Sequence, residues 1–312
     1  MLTTPPIFIL GCMRSGTTIL HRLLLDYIPS AVDIEDLDFE GRVFWQRHGI
    51  AMGSPKTGTR CDCHHGRHLT LETRKTIRNY FAQRAGSTGR IITKNPHLNN
   101  KLGLIHTLFP QAKIIHLIRQ NLAVVASTKR RFEEAYGGRN YLQVPVKHYW
   151  PNVELPCWWC VPETLERSPN FRERAGVPPP QHEDYRHFFR LHAETDRYFP
   201  GDGFKRIPES WLHLNANLLR QVVALNLPEN YLLVRYEALV LNTPATLAQI
   251  ADFCQVNHAK PDNIPPQLAT TSLEKWREVL TAREQKICAQ TVQHFSAEAH
   301  LISKEISADL II

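Results

Sequence analysis

PPIFILGCMRSGTTILHRLLLDY, running from Pro5 to Tyr27, is the stretch from which the rest of the chain is read. The apolar run Ile7–Gly11 has the composition of a buried strand, and Thr17–Tyr27 has the spacing of a helix packed on one face. Between them, Gly11 and Gly16 bracket a short polar turn. Glycines let the backbone turn tightly and aim successive N–H groups at one anion, and the helix that follows adds its unpaired amides and its dipole. Ser15, Thr17 and Thr18 bring hydroxyl donors to the same place. A strand, glycine loop and helix in this order make a phosphate cradle, yet Thr17 stands where a nucleoside-triphosphate site has lysine. That lysine reaches the outer phosphates, and the hydroxyl after it holds magnesium. A ligand with one bridging phosphate at this end needs neither. Arg14 offers such a group a forked cation.

The alternation continues outward from this unit. Arg90–Thr93 and Lys113–Ile118 read as two further strands, with helical patterns over Leu98–Phe109, ended by Pro110, and over Leu122–Arg131. Later, Glu209–Leu225 is helical, Tyr231–Glu237 is a strand, and Thr243–Phe253 and Ala282–Phe295 are helices. Strands with continuous apolar character, alternating with helices, predict an α/β fold with a doubly wound, mostly parallel sheet flanked by helices. Residues 139–207 break the pattern, because "YWPNVELPCWWCVPE" and "AGVPPPQHEDY" crowd proline and aromatic residues without a period. They read as an irregular insertion within a single domain spanning residues 1–312.

Composition narrows the ligand class. The 312 residues are 43% hydrophobic and 21% charged, which is ordinary for a globular chain. The formal charge of +7 favours anionic ligands. The positive residues form no block of the kind that binds nucleic acid, so a basic cleft is the simpler explanation. No stretch approaches the roughly 18–20 apolar residues of a membrane span, and the N-terminus lacks the basic region and cleavage site of a secretory signal. The expectation is a soluble, cytoplasmic protein. Seven cysteines, an odd number, argue against a disulfide scaffold. Cys61, Cys63, His64 and His65 in "CDCHH", with Cys157 and Cys160 in "CWWC", have zinc-ligand chemistry, but their spacing fits no standard ribbon or finger. The reading adopted is reduced cysteines packing aromatic-rich loops and no metal in the site, with a zinc bridging the two loops as the alternative.

A second anion site is legible further on. Arg119 ends the strand Lys113–Ile118, at the edge where open α/β sheets bind ligands. If the next helix starts near Asn121, Ser127 faces the same crevice. A guanidinium and a hydroxyl converging on a second phosphate select a 3′-phosphorylated nucleotide over ATP. Lys94 ends the preceding strand at the same edge of the sheet.

With these segments in view, Pro5–Thr18 resembles the 5′-phosphosulfate loop of sulfotransferases that use 3′-phosphoadenosine 5′-phosphosulfate (PAPS), whose pattern is P-I-F-[IV]-x-G-x-x-R-S-G-T-T. "KIIHLIRQNLAVVAST" resembles the 3′-phosphate motif of that family, with Arg119 and Ser127 in the arginine and serine places. "ITKNP" resembles its lysine-proline motif. "YLLVRYEALVLNTPATLAQIADFC" and "TTSLEKWREVLT" resemble its late strand–helix pair and its C-terminal loop. The resemblance implies a P-loop-like sulfotransferase fold that moves a sulfuryl group to a hydroxyl or amine of a glycan, lipid or small metabolite, without a required metal. It implies that Gly11, Arg14, Ser15, Gly16, Thr17, Thr18, Arg119, Ser127, Thr271 and Ser272 hold the nucleotide. Arg14 also acts in catalysis, and Lys94 serves the bridging oxygen and the leaving phosphate. For the base, Glu35 and Asp36 in "PSAVDIEDLDFE" match the place of a family carboxylate, and His97 in "KNPHL" resembles a lysine–histidine pairing with one extra residue. The motif does not choose among them. Near the C-terminus, Thr270 and Thr271 stand where relatives often carry basic residues and glycine, and Trp276 packs that loop or stacks near the nucleotide. Two other readings are a P-loop nucleotide kinase, against which the absent lysine counts, and a non-catalytic nucleotide-binding scaffold. Intact Lys94, Arg14 and loop hydroxyls count against the scaffold.

Overall fold

Five short strands, β1 (Ile7–Leu10), β2 (Ala31–Asp33), β3 (Arg90–Lys94), β4 (Lys113–Ile118) and β5 (Tyr231–Arg235), make one sheet in the order β2-β3-β1-β4-β5. The computed structural model describes residues 4–34, 41–48, 50, 69–99, 101–135, 206–257, 267–306 and 311. Every strand pairing in the sheet is parallel. Its helices are α1 (Thr17–Tyr27), α2 (Arg42–Arg47), α3 (Leu71–Ala85), α4 (Leu102–Leu108), α5 (Asn121–Ala135), α6 (Arg206–Ala224), α7 (Tyr236–Leu241), α8 (Thr243–Cys254), α9 (Thr271–Glu274), α10 (Trp276–Val279), α11 (Ala282–His294) and α12 (Ser296–Ser303).

The central strand shows why the sheet is wound on both faces. All of β1 is buried, and its side chains alternate between layers as a strand requires. Phe8 and Leu10 join Ile91, Ile114, Phe81 of α3 and Ile105 of α4. Ile7 and Ile9 turn the other way, onto Leu20 and Leu24 of α1 and Leu247 and Ile250 of α8. Each such side chain stabilises the fold by roughly 1.5–3 kcal/mol relative to exposure. A further cluster packs Val124 of α5 against Trp211 of α6, Val292 of α11 and Ile302 of α12. In register, β1 sets Ile9 beside Lys94 and Leu10 beside His116. The carboxyl ends of β1, β3 and β4 therefore emerge together, and Gly11, Lys94 and Arg119 share one edge.

The structure corrects several expectations. β2, α2 and α3 fall where no element was predicted. The predicted helix Leu98–Phe109 is a 3₁₀ turn, Pro96–Leu98, followed by α4. The break has a cause, because the Asn99 side chain is spent on Gly11 across the sheet edge. The predicted strand Tyr231–Glu237 stops at Arg235, and Tyr236 and Glu237 open α7 instead. There the Glu237 carboxylate accepts the Gln120 N–H at 2.9 Å, tying α7 to the start of α5. Residues 206 and 207, expected within the insertion, belong to α6. The remainder of that segment and the Cys61–His65 and Cys157–Cys160 clusters lie outside the described residues. Among the described residues no helix is long and apolar enough to cross a membrane.

A buried polar chain runs from β5 to α6. His116 Nδ1 lies 2.8 Å from the Tyr231 hydroxyl and Nε2 lies 2.9 Å from Asn215 Oδ1. Asn215 Nδ2 donates to the Trp211 carbonyl, which orients its oxygen toward the imidazole. The neutral ring donates through Nε2 and accepts from Tyr231, so a second proton would meet the Tyr231 donor head on. Burial holds His116 down to about 4 and, likewise, His21 to about 4. Between an ordinary histidine pKa of about 6.5 and about 4, the unfolded chain binds protons that the folded chain does not. Stability is therefore full above that window and falls as pH falls through it, by up to about 1.4 kcal/mol per pH unit for each histidine. Urea unfolding between pH 4.5 and 7.5 should show this slope, and His116→Gln should flatten it by about half. An unchanged slope in that variant would refute the assignment.

Candidate active site

The Gly11–Gly16 turn is built by steric need. A Cβ on Gly11 would sit 2.4 Å from the Leu117 carbonyl oxygen of β4, and backbone cannot move aside cheaply. Gly16 has φ 96°, and a Cβ there would meet ring carbons of Tyr236 at 2.5 Å. Within the turn, Ser15 N–H donates to the Cys12 carbonyl at 3.1 Å, and Arg14 takes a left-handed φ of 66°. The turn hands over to α1, whose first N–H groups have no intrahelical acceptor. The Ser15 hydroxyl is fully buried and has no hydrogen-bond partner among the described residues. Such an atom fits a site whose anion supplies the partner. Thr17 is buried and Thr18 half-buried at the same helix start.

Beside the turn, Lys94 is the last residue of β3 and only 4% exposed. Its strand neighbour in the register is Ile9, two residues before Gly11. A lysine this buried at the ligand edge of a parallel sheet is suited to an anionic partner.

The second region is a cavity of about 320 Å³, lined among others by Arg14, Arg119, Ser127, Arg130, Lys275 and Trp276. Its volume falls in the usual range of small-ligand sites, about 300–1,000 Å³. Among the described residues the cavity lining contains four cations and no carboxylate. Arg14 leans into it, donating from Nε to the Ser127 hydroxyl at 3.1 Å. Arg119 donates from Nη1 to the Arg14 carbonyl and from Nη2 to the Ser272 carbonyl, while its Nε has no partner among the described residues. The guanidinium lies 4.4 Å from the centre of the Tyr236 ring. Burial pulls its pKa below the ordinary range and neighbouring Arg14 acts the same way, opposed by Tyr236 and Glu237. An anion in this cavity would relieve that cost.

Tyr236 thus joins both regions, with Gly16 against its ring, Arg119 over it and its hydroxyl 3.3 Å from Ser272 Oγ. Trp211 Nε1 donates to the Arg119 carbonyl and fixes the end of β4 from α6. On the far wall, Lys129 donates to the Val279 carbonyl and to Glu284, holding α10 and the start of α11 in place. The structure therefore brings together Gly11, Arg14, Ser15, Gly16, Thr17 and Thr18 on the turn, Lys94 beside it, and Arg119, Ser127 and Ser272 around the cavity. Thr271 opens α9 and is exposed. Trp276 is buried against the cavity, with Nε1 lacking a partner among the described residues. Glu35 and Asp36 lie outside the described residues, and of His97 only the backbone is described, in the turn Pro96–Leu98. Sequence reasoning missed Tyr236, Glu237, Arg130, Lys275 and Asn99. Only Asn99 carried a signal, since two asparagines in "HLNNK" are poor company for a helix interior.

The two regions together form a glycine turn, without the lysine of a triphosphatase loop, joined to a cationic pocket. Residues 5–152 match the model of the sulfotransferase family. That match takes in just under half of the chain. The sulfotransferase match contains the turn, Lys94, Arg119, Ser127 and Arg130; Tyr236, Ser272, Lys275 and Trp276 come from beyond it. A protein of Aquifex aeolicus (strain VF5), described only as uncharacterized, is 28% identical over 146 residues. The aligned part is 42% of this chain and 18% of that protein, so the chain spans less than a fifth of that relative's length. Among solved structures, the sulfotransferase domain from the curacin biosynthetic pathway is 16% identical with a TM-score of 0.47, covering 93% of this chain and 98% of that one. The sulfotransferase from Alicyclobacillus acidocaldarius is 16% identical with a TM-score of 0.46, covering 95% and 99%. Mouse sulfotransferase SULT7A1, in a structure complexed with PAP, is 12% identical with a TM-score of 0.40, covering 96% and 88%.

Proposed function

We propose that this chain transfers a sulfuryl group from PAPS to a hydroxyl or amine of an acceptor. In the step, the bond between sulfur and the bridging oxygen of the 5′-phosphate breaks and a bond from sulfur to the acceptor oxygen or nitrogen forms. The acceptor proton passes to a base, and adenosine 3′,5′-bisphosphate leaves. By analogy with phosphoryl transfer, catalysis rests on positioning and on charge stabilisation at the leaving oxygen. The turn and the α1 amides hold the 5′-phosphate, Lys94 meets the charge that develops on the leaving oxygen, and the 3′-phosphate enters the Arg119 cavity. The observation that carries the reading is this cavity, because four cations with a serine hydroxyl beside a turn that lacks the triphosphatase lysine suit a donor with two separated phosphates.

The donor requires no metal on this reading. Cys12, Cys254 and Cys288 are free and buried thiols, which is compatible with the cytoplasmic location we favour. The base is Glu35, Asp36 or His97. Glu35→Gln, Asp36→Asn and His97→Ala, compared at equal folded fraction, should leave one variant with turnover reduced about 10²–10⁴-fold and nucleotide binding retained. The activity itself is tested with sulfur-labelled PAPS and a panel of glycan, lipid and small hydroxylated or amino acceptors. Label transfer with release of adenosine 3′,5′-bisphosphate is the expected result. Tight binding of the bisphosphate with no transfer to any acceptor class, including those of a cell extract, would leave a binding scaffold in place of an enzyme.

A further inference from the structure

Resting on the reading above, we infer that Asn99 is the positioning residue of the phosphate turn, and that Gln221 braces it. Asn99 is 1% exposed and follows the 3₁₀ turn Pro96–Leu98, five positions after Lys94. Its carboxamide grips Gly11 from both sides. Asn99 Oδ1 accepts the Gly11 N–H at 2.9 Å, and Asn99 Nδ2 donates to the Gly11 carbonyl at 2.7 Å. Both backbone groups of the first residue of the turn are consumed in this way. The amides left to face an anion are those of the turn beyond Gly11 and of the first turn of α1. Their direction is set by where Gly11 is held.

The clamp also fixes a distance that the proposed reaction needs. Lys94 closes β3 and Asn99 lies on the short connection that follows it, while Gly11 comes directly after β1. Pinning Asn99 to Gly11 locks the lysine and the phosphate turn into one relative placement. The clamp extends the β1–β3 pairing, whose register closes at Ile9 and Lys94, across the ligand edge of the sheet. Gln221 of α6 holds the clamp from behind, because its Nε2 donates to the Asn99 carbonyl at 2.9 Å and its Oε1 accepts the Leu102 N–H at 3.0 Å. A carboxamide is the side chain that offers one acceptor and one donor in a single plane, as the two groups of Gly11 demand. Aspartate keeps the first bond and sets a carboxylate against the Gly11 carbonyl. Leucine removes both bonds and leaves two buried backbone groups unsatisfied.

A residue that acts through the turn should change chiefly the contribution of the 5′-phosphate. Calorimetry of the full chain with adenosine 3′,5′-bisphosphate and with adenosine 3′-phosphate isolates that contribution as a ratio of affinities. Asn99→Asp and Asn99→Leu should shrink the ratio on the order of 10- to 100-fold, the scale expected of an ångström-level misplacement. Affinity for adenosine 3′-phosphate should fall much less than the ratio does, since Arg119, Ser127, Arg130 and Lys275 come from outside the turn and Arg14 is the residue it shares with the cavity. Gln221→Met, at a half-buried position, should give the same pattern in weaker form and serves if the Asn99 variants do not fold. An unchanged ratio in the folded variants, or equal weakening of both ligands, overturns the inference while leaving the donor assignment intact. A wild-type protein indifferent to the 5′-phosphate overturns both.

Discussion

Replacing Arg119 with methionine should lower affinity for adenosine 3′,5′-bisphosphate by roughly 30- to 5,000-fold and leave affinity for adenosine 5′-phosphate almost unchanged. The expectation follows from how the guanidinium is held. Two of its nitrogens are committed to the Arg14 and Ser272 carbonyls, its plane lies over Tyr236, and its Nε is buried without a partner among the described residues. The group is therefore oriented before any ligand arrives, and an arriving phosphate pays little to order it. Truncating one side of a desolvated charge pair costs about 2–5 kcal/mol, which sets the scale of the effect. Arg119→Lys should recover little, because a single ammonium cannot replace a planar fork held on an aromatic face. Isothermal titration of the three proteins with both nucleotides makes the measurement. Equal losses for both nucleotides would mean that Arg119 shapes the fold and does not read the 3′-phosphate.

The second large effect belongs to Lys94. Lys94→Met should cut turnover with PAPS on the order of 10²–10³-fold, the range found when one preorganised donor to a developing oxyanion is lost. Binding of adenosine 3′,5′-bisphosphate should weaken far less, by about tenfold or under. The asymmetry is the informative part. In the bound donor the bridging oxygen carries little charge, and the full negative charge appears there only as the sulfuryl group departs. A cation placed for that oxygen acts mostly in the transition state. The position of Lys94 suits this role, since it closes β3 in register with Ile9 and is buried at the sheet edge beside the turn. Single-turnover kinetics separate chemistry from binding. If turnover falls only as far as affinity does, Lys94 is an ordinary binding residue.

How much of this was readable beforehand depends on where the physical signal resides. The strand–turn–helix unit was legible because its constraints are local. Apolar residues fill β1, glycines stand where a Cβ would strike Leu117 or Tyr236, and the helix begins at Thr17 as expected. β4 was equally clear as a continuous apolar run. β2 escaped notice because it is three half-buried residues without a pattern. α3 escaped because only Ile77, Phe81 and Ala85 of its fifteen residues are buried, too sparse a stripe to announce a helix. The first two residues of α7, Tyr236 and Glu237, read as strand because the tyrosine continues the composition of β5. What makes it a helix start is a tertiary contact, the Glu237 carboxylate under Gln120.

The site divides along the same line. Arg119 and Ser127 could be named because they share one strand–helix unit and a spacing of eight residues. Arg130 and Lys275 could not, since each is an exposed cation with no local mark, and only the fold sets them on one cavity. Tyr236 contributes a ring that fills the space Gly16 leaves open, a complementarity invisible to either segment alone. Asn99 and Gln221 act at second remove, through backbone groups of residues distant in the chain.

The central claim is that one donor molecule is held by two phosphates at two places, and direct titration of the wild-type protein tests it. Adenosine 3′,5′-bisphosphate should bind at least about a hundredfold more tightly than adenosine 5′-phosphate, as a charge-assisted pocket for the extra phosphate demands. ATP with magnesium should gain nothing over adenosine 5′-phosphate. Equal affinity for the nucleotides with and without the 3′-phosphate would contradict the account.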